Sequence, residues 1–214
     1  MRVKICGLTN TADALYAAEA GADILGFVFA ESPRKVSPEN VYGILNELER
    51  RGLRKGIECV GVFVNAANNF IEDIFRITAL DTAQLHGDES VQFTQRLKVP
   101  WYKALRFKTI NDVNRANWDW NSTRILIDAR VDNAYGGTGI RIPTETLLAA
   151  KDRAQQAGFE FFAAGGLHPG NIAEMIRQVK PDGVDISSGV EERPGKKSPQ
   201  KIDQLIKEVK QALC

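Results

Sequence analysis

Short apolar runs rich in β-branched residues alternate along this chain with stretches whose apolar positions recur every three or four residues. The runs Arg2 to Ile5, Ile24 to Phe29, Glu58 to Val64, Ala83 to His86, Trp101 to Phe107, Arg124 to Asp128, Phe159 to Ala164 and Gly183 to Ile186 read as strands. The intervening stretches Thr11 to Ala20, Pro38 to Arg51, Ala67 to Ile77, Ser90 to Leu97, Ile110 to Trp118, Pro143 to Gln156, Pro169 to Val179 and Pro199 to Leu213 read as helices. Ser37-Pro38 and Ser198-Pro199 each offer a capping hydroxyl followed by proline at the first helical position, and Gly21, Gly52 and Gly158 offer stops.

Strands that alternate with helices pair in parallel, because each helix is the crossover that a parallel pair requires. Eight such units in 214 residues fit a closed (βα)8 TIM barrel of the α/β class. An open doubly wound sheet would leave two edges to protect. With 43% hydrophobic residues and no linker, low-complexity tract or shift in composition, residues 1–214 are expected to form one barrel domain.

The 28 Lys+Arg nearly cancel the 27 Asp+Glu, and neither sign is concentrated in one segment. That balance disfavours nucleic-acid or membrane partners and favours a small-molecule substrate. The apolar runs are strand-sized and the N-terminus lacks the apolar segment of a signal peptide, so a cytoplasmic protein is expected, by default a monomer. Cys6, Cys59 and Cys214 form no C-x-x-C pair and only two histidines accompany them, which supports neither a disulfide framework nor a zinc site. Cys59 reads as core, and Cys214, at the chain end, as a mobile free thiol.

In this fold the loops after strands 7 and 8 commonly hold a phosphate on backbone N–H groups. Here they read Ala164-Gly165-Gly166-Leu167 and Ser187-Ser188-Gly189-Val190. Each is either an ordinary turn or half of a phosphate site, with glycines that let the main chain approach an anion and serines that add donors. Gly136-Gly137-Thr138-Gly139, after strand 6, is either a flexible connection or a lid over the same anion.

Cys6 and Asp128 close strands 1 and 6, which puts both at the barrel mouth and on either side of that phosphate site. Alone, each is an unremarkable strand-end residue; together around a phosphate they form an acid–base arrangement. A thiol acts as a base only as thiolate and needs nearby positive charge or hydrogen-bond donors, whereas a general acid has to keep its proton. Lys4 lies one layer deeper on the same side of the strand, and Asp185 on strand 8 is its natural buried partner. Gln84 and His86 share a side of strand 4, where His86 either orders a loop or touches substrate. Arg34, after strand 2, is either solvated or a bidentate partner for a substrate carboxylate.

In order along the chain, Lys4-Ile5-Cys6-Gly7-Leu8-Thr9, Gly26-Phe27-Val28-Phe29, Ser32-Pro33-Arg34, Gly61-Val62-Phe63-Val64-Asn65, Gln84-Leu85-His86-Gly87, Asp128, Gly136-Gly137-Thr138-Gly139, Ala164-Gly165-Gly166-Leu167 and Val184-Asp185-Ile186-Ser187-Ser188-Gly189-Val190-Glu191 closely resemble the phosphoribosylanthranilate isomerases of tryptophan biosynthesis. The resemblance implies an Amadori rearrangement of N-(5-phosphoribosyl)anthranilate that needs no redox cofactor and no metal. In it Asp128 would protonate the furanose ring oxygen, Cys6 would remove the C2 proton of the resulting Schiff base, and Arg34 would hold the anthranilate carboxylate. A histidine-pathway phosphoribosyl-amine isomerase is the neighbouring alternative, although such barrels generally use two aspartates. A non-catalytic barrel that binds a phosphorylated metabolite is the other. One stretch departs from the family pattern, and one further position differs. The family usually continues from the strand-6 glycine loop with a basic or hydroxyl residue and Phe-Asp-Trp, where this chain has Ile140-Arg141-Ile142-Pro143. Ser198 follows Pro194-Gly195-Lys196-Lys197 where the family commonly has Asp, a change expected to affect only the last helix cap.

Overall fold

The computed structural model describes residues 1–129 and 141–213. Its parallel strands β1 (Arg2–Ile5), β2 (Ile24–Val28), β3 (Glu58–Phe63), β4 (Thr82–Leu85), β5 (Trp101–Phe107), β6 (Arg124–Ala129), β7 (Glu160–Ala163) and β8 (Gly183–Ile186) pair in sequence order and close β8 onto β1. The eight-stranded barrel expected from the alternation is therefore present.

The helices are α1 (Thr11–Ala20), α2 (Pro38–Arg50), α3 (Asn68–Thr78), α4 (Val91–Thr94), α5 (Ile110–Arg115), α6 (Thr144–Gln156), α7 (Ile172–Val179) and α8 (Pro199–Ala212). Ser37 and Ser198 cap α2 and α8 as expected, their hydroxyls accepting from Asn40 N and Lys201 N. The change at position 198 thus leaves the last helix with a side-chain cap. Gly21 adopts φ +104° after α1, where a side chain would be strained.

Three helices are shorter than the sequence suggests. The Thr94 hydroxyl bonds Val91 O at 2.8 Å and tight three-residue bonds follow, closing α4 after one turn. At α5, Ala116 turns extended (ψ 147°) and Trp118 folds back onto Phe107, its indole N–H donating to Val113 O. Before α7, Asn171 spends its side chain on the loop, accepting from His168 N and donating to Gly166 O.

The apolar residues form two separate cores. One fills the space between sheet and helices, and includes Ile5, Leu25, Phe63, Ile127 and Leu205. The other fills the barrel interior with Ile24, Val60, Tyr102, Ala104, Leu126, Phe162 and Ala164. The Phe162 ring lies so close to β8 that a Cβ on Gly183 would stand 2.3 Å from it. Below this layer, at the strand starts, Arg124 pairs through both terminal nitrogens with Glu58, Arg2 bridges Glu58 and Glu160, and the Arg124 guanidinium stacks 4.8 Å above Tyr102 and Phe162. Above it lies the mouth.

Cys59 is fully buried, as expected of a core residue, and burial pushes its thiol up to about 12. Ile142, in the stretch that departs from the family pattern, is 1% exposed within the outer core. An aliphatic side chain therefore serves as the buried anchor of that segment. Gly136, Gly137, Thr138, Gly139 and Cys214 lie outside the described residues. Among the described residues no helix is long and apolar enough to cross a membrane.

Candidate active site

Alternation along the strands sends every second residue into the barrel, and closure of the ring decides which of these meet. In β1 the inward residues near the mouth are Lys4 and Cys6; in β8 the residue registered with Lys4 is Asp185. The Lys4 ammonium, with 0% exposure, donates to Asp185 Oδ2 at 3.0 Å, as the sequence suggested, and also to Gln84 Oε1 at 2.7 Å and Cys6 Sγ at 3.2 Å. An ammonium has three N–H groups, and all three are committed. Burial would strip Lys4 of its charge, but Asp185 and the other electronegative neighbours outweigh it and hold the amine protonated well above its ordinary range.

Lys4 is therefore the positive charge that Cys6 was expected to need. Its effect is not dominant: burial pushes the thiol up, Asp185 pushes it further, and Lys4 and Lys197 only partly oppose them. Cys6 rests as a thiol with a cation already hydrogen-bonded to its sulfur. Gly26, on β2, clears the space beside it, since a Cβ there would stand 2.8 Å from Sγ.

Across the barrel, Gln84 receives a second hydrogen bond on Oε1 from the buried Tyr102 hydroxyl at 2.7 Å, and its Nε2 lies 2.8 Å from His86 Nδ1. His86 Nε2 in turn lies 3.3 Å from Asp128 Oδ2, near but out of hydrogen-bonding geometry. The main chain around His86 is pinned. Buried Lys103 donates to the carbonyls of Leu85 and Gly87 on either side of it and to Glu89, whose carboxylate also accepts from Asn65 N and Gly87 N. Asp128 Oδ1 accepts from Ala129 N at 2.7 Å, which leaves Oδ2 as the oxygen facing the interior.

Cys6, His86, Asp128 and Arg34 line one cavity of about 680 Å³ at the mouth, together with Gly165, Gly166, Ser187 and Ser188. Gly165 and Gly166 have φ of +88° and +63°, and their amides donate to no acceptor among the described residues. Both glycines line the cavity. Gly189 is placed differently from the expectation: it does not line the cavity but presses on the neighbouring loop, where a Cβ would come 1.9 Å from Leu167 O. It fixes how closely the β7 and β8 loops approach.

Arg34 is not a free guanidinium. Its Nε and Nη2 donate to the two oxygens of Glu191, both at 2.8 Å. That bidentate grip uses one edge of the fork and leaves the end-on edge, Nη1 with the second N–H of Nη2, for another planar anion. Burial pushes the Glu191 carboxyl up, but Arg34 and Lys197 outweigh it and hold it below the ordinary range. Lys197 also donates to Ser187 O, tying the β8 loop from behind.

Glu191 and Lys197 sit on a small antiparallel hairpin, β9 (Glu191–Arg193) and β10 (Lys196–Lys197), which the sequence reading passed over. The signal was Pro194-Gly195, a turn dipeptide whose glycine adopts φ +80°. Asp185 Oδ1, buried beside Cys6 and lining the same cavity, has no hydrogen-bond partner among the described residues.

A family model described as N-(5'-phosphoribosyl)anthranilate (PRA) isomerase matches residues 3–208. A protein of Trichlorobacter lovleyi named N-(5'-phosphoribosyl)anthranilate isomerase is 41% identical over 214 residues, covering 100% of both chains. Its namesake from Geobacter sulfurreducens is 42% identical over 211 residues, covering 98% of each. Among solved structures, phosphoribosyl anthranilate isomerase from Thermotoga maritima superposes with a TM-score of 0.87 at 36% identity over 99% of both chains. A phosphoribosyl anthranilate isomerase in complex with reduced 1-(o-carboxyphenylamino)-1-deoxyribulose 5-phosphate superposes with a TM-score of 0.83 at 36% identity, also over 99% of both chains.

Proposed function

The chain belongs to the N-(5'-phosphoribosyl)anthranilate isomerase family, and on that premise we propose that it converts N-(5'-phosphoribosyl)anthranilate to 1-(2-carboxyphenylamino)-1-deoxyribulose 5-phosphate by general acid–base catalysis. The reading rests above all on one observation: Cys6, Asp128, two glycines with free amides and a half-used arginine fork all line one cavity.

In this reading the phosphate sits on the amides of Gly165 and Gly166 and on the loop Ser187-Ser188, and the end-on edge of Arg34 receives the anthranilate carboxylate. The two anionic ends of the substrate are thereby fixed, which sets the sugar between Cys6 and Asp128. Asp128 donates the proton of Oδ2 to the ring oxygen; the C1–O bond breaks while the anthranilate nitrogen forms the C1=N bond. The minor fraction of Cys6 that has lost its proton to solvent, a thiolate paired with Lys4, takes the C2 proton, and the electron pair moves toward the iminium nitrogen to give an enaminol. Protonation at C1 and loss of the C2 hydroxyl proton yield the ketone. Asp185 Oδ1, a buried acceptor awaiting a donor, suits a sugar hydroxyl.

Residues 1–214 act as one domain in this reading, in the cytoplasm, where a free thiol such as Cys6 persists. Action as a monomer is the default in this reading, although a further Thermotoga maritima structure names that enzyme dimeric. Sedimentation velocity distinguishes the two.

The catalytic test generates phosphoribosylanthranilate in situ, follows loss of anthranilate-type fluorescence, and runs the histidine-pathway phosphoribosyl amine in parallel. Turnover of the first substrate is expected. Turnover of only the second, or of neither by the folded chain, would overturn the reading.

A further inference from the structure

We propose that Gln84 is a positioning residue that fixes His86 as its Nε2–H tautomer and so aims an imidazole N–H at Asp128. The catalytic half of this inference rests on the acid role assigned to Asp128 above; the tautomer half does not.

The orientation of the Gln84 amide follows from its neighbours. The Lys4 ammonium has only protons to offer, so the Gln84 atom 2.7 Å from it is the oxygen. The Tyr102 hydroxyl, 2.7 Å from the same atom, donates to it as well. The amide nitrogen is left to face His86 Nδ1 at 2.8 Å, and an amide NH2 has no lone pair available to accept. Nδ1 is therefore the acceptor and carries no proton. In the neutral ring the proton sits on Nε2, the nitrogen 3.3 Å from Asp128 Oδ2. The opposite tautomer would set N–H against N–H in a buried pair, which is costly to leave unmade.

The ring cannot escape the arrangement by swinging away. Its backbone lies between two carbonyls held by Lys103, and the side chain is 7% exposed. The chain of bonds runs without interruption from Asp185 and Cys6 through Lys4 to Gln84 and His86, and ends against Asp128. The base side and the acid side of the cavity are joined by a single oriented path.

The orientation serves the acid in both halves of its cycle. Before the sugar ring opens, a protonated Nε2 has no lone pair with which to take the Asp128 proton, so that proton remains for the ring oxygen. After transfer, the Asp128 carboxylate holds Ala129 N–H on Oδ1 and receives His86 Nε2–H on Oδ2. A contact that is near but unaligned at rest is the kind that tightens when substrate closes on it. With the other tautomer both effects reverse: Nε2 competes for the proton and then repels the carboxylate.

The test uses the fact that the chain has only two histidines, His86 and the exposed His168. A long-range 1H–15N spectrum of the labelled full chain resolves both rings, and the proposal expects His86 to carry its proton on Nε2. An Nδ1–H pattern for His86 in the wild-type chain would overturn it, whatever the activity. Gln84→Glu keeps acceptors for Lys4 and Tyr102 but presents one to His86 as well, so the proton is expected to move to Nδ1 and kcat to fall about 10²-fold at unchanged KM. A moved proton with unchanged kcat would overturn the positioning role. Should that variant fail to fold, Gln84→Met removes the amide without adding charge, and a mixture of tautomers with reduced kcat is expected; a ring still wholly Nε2–H would overturn the assignment to Gln84. Absence of phosphoribosylanthranilate turnover by the wild-type chain overturns the proposed reaction instead, and leaves the spectrum to decide the tautomer.

Discussion

Where the strands begin, Arg2, Glu58, Arg124 and Glu160 close on one another and the Arg124 plane lies on aromatic rings. Where they end, Lys4, Asp185, Gln84, His86 and Asp128 form a chain that stops short at both ends: Asp185 Oδ1 and His86 Nε2 have no hydrogen-bond partner among the described residues. Both sets mix charges of opposite sign, but the upper set is buried whereas the lower one reaches solvent through Arg2 and Glu160. The lower set is saturated by the protein itself, and its charges only hold strands together. The upper set keeps buried groups in reserve, which costs stability and makes sense where a ligand completes the network.

The sharpest way to break this comparison is to disable each end separately. Cys6→Ala and Asp128→Asn are each expected to lower kcat by about 10²- to 10⁴-fold with an unchanged melting temperature. Arg124→Ala leaves Glu58 with its main partner gone, so it is expected to lower stability by about 3 kcal/mol and leave kcat unchanged. Calorimetry and initial rates on the same preparations would decide; near wild-type turnover by either mouth variant would sink the role given to that residue.

A second comparison lies within the mouth, between the two neighbours that act oppositely on Cys6. Asp185 raises the thiol and Lys4 lowers it. In wild type the thiolate population, and with it the ascending limb of the pH–rate profile, lies above the ordinary thiol range. Asp185→Asn removes the opposing carboxylate, so this limb is expected to move to lower pH. Movement to higher pH, or none, would show that the Asp185 carboxylate does not hold the thiol up.

The smallest effect concerns one glutamate from each end. Burial pushes Glu58 up and Arg124 outweighs it; Arg34 and Lys197 do the same for Glu191. Both carboxyls are held below their unfolded value of about 4.3. Each contributes stability that is complete above that value and is lost as pH falls through the lower folded value. Glu58→Gln and Glu191→Gln should therefore both flatten the loss of stability in acid. Only Glu191→Gln should also raise KM, because only Glu191 aims a guanidinium at the cavity.

The strand and helix order was legible because the signals are local: two-residue alternation and serine–proline starts need no knowledge of partners. So was the placement of Cys6, Asp128 and His86 at one mouth, since strand parity fixes which way a side chain points, and that of Arg34, since the loop after β2 opens there. The pairing of Lys4 with Asp185 followed from adjacent strands, and register places them opposite each other. What the sequence did not disclose depends on contacts made across the ring. Gln84 was visible as an inward residue, but its amide is oriented by Lys4 from β1 and Tyr102 from β5. The capture of Arg34 by Glu191 joins residues 157 positions apart and depends on the hairpin at Pro194-Gly195. The early ends of α4 and α5 arise from side chains, Thr94 and Trp118, that return to the backbone.

The 1.9 Å approach that a Cβ on Gly189 would make to Leu167 O has a bearing on redesign. The β7 and β8 loops meet main chain to main chain, so the span between them is a gauge set by the backbone, with no rotamer to adjust it. A transplanted β8 loop carrying any residue but glycine there would force its neighbour outward and change that gauge. The two loops have to be exchanged as a matched pair, and a larger anion has to be accommodated by rebuilding both.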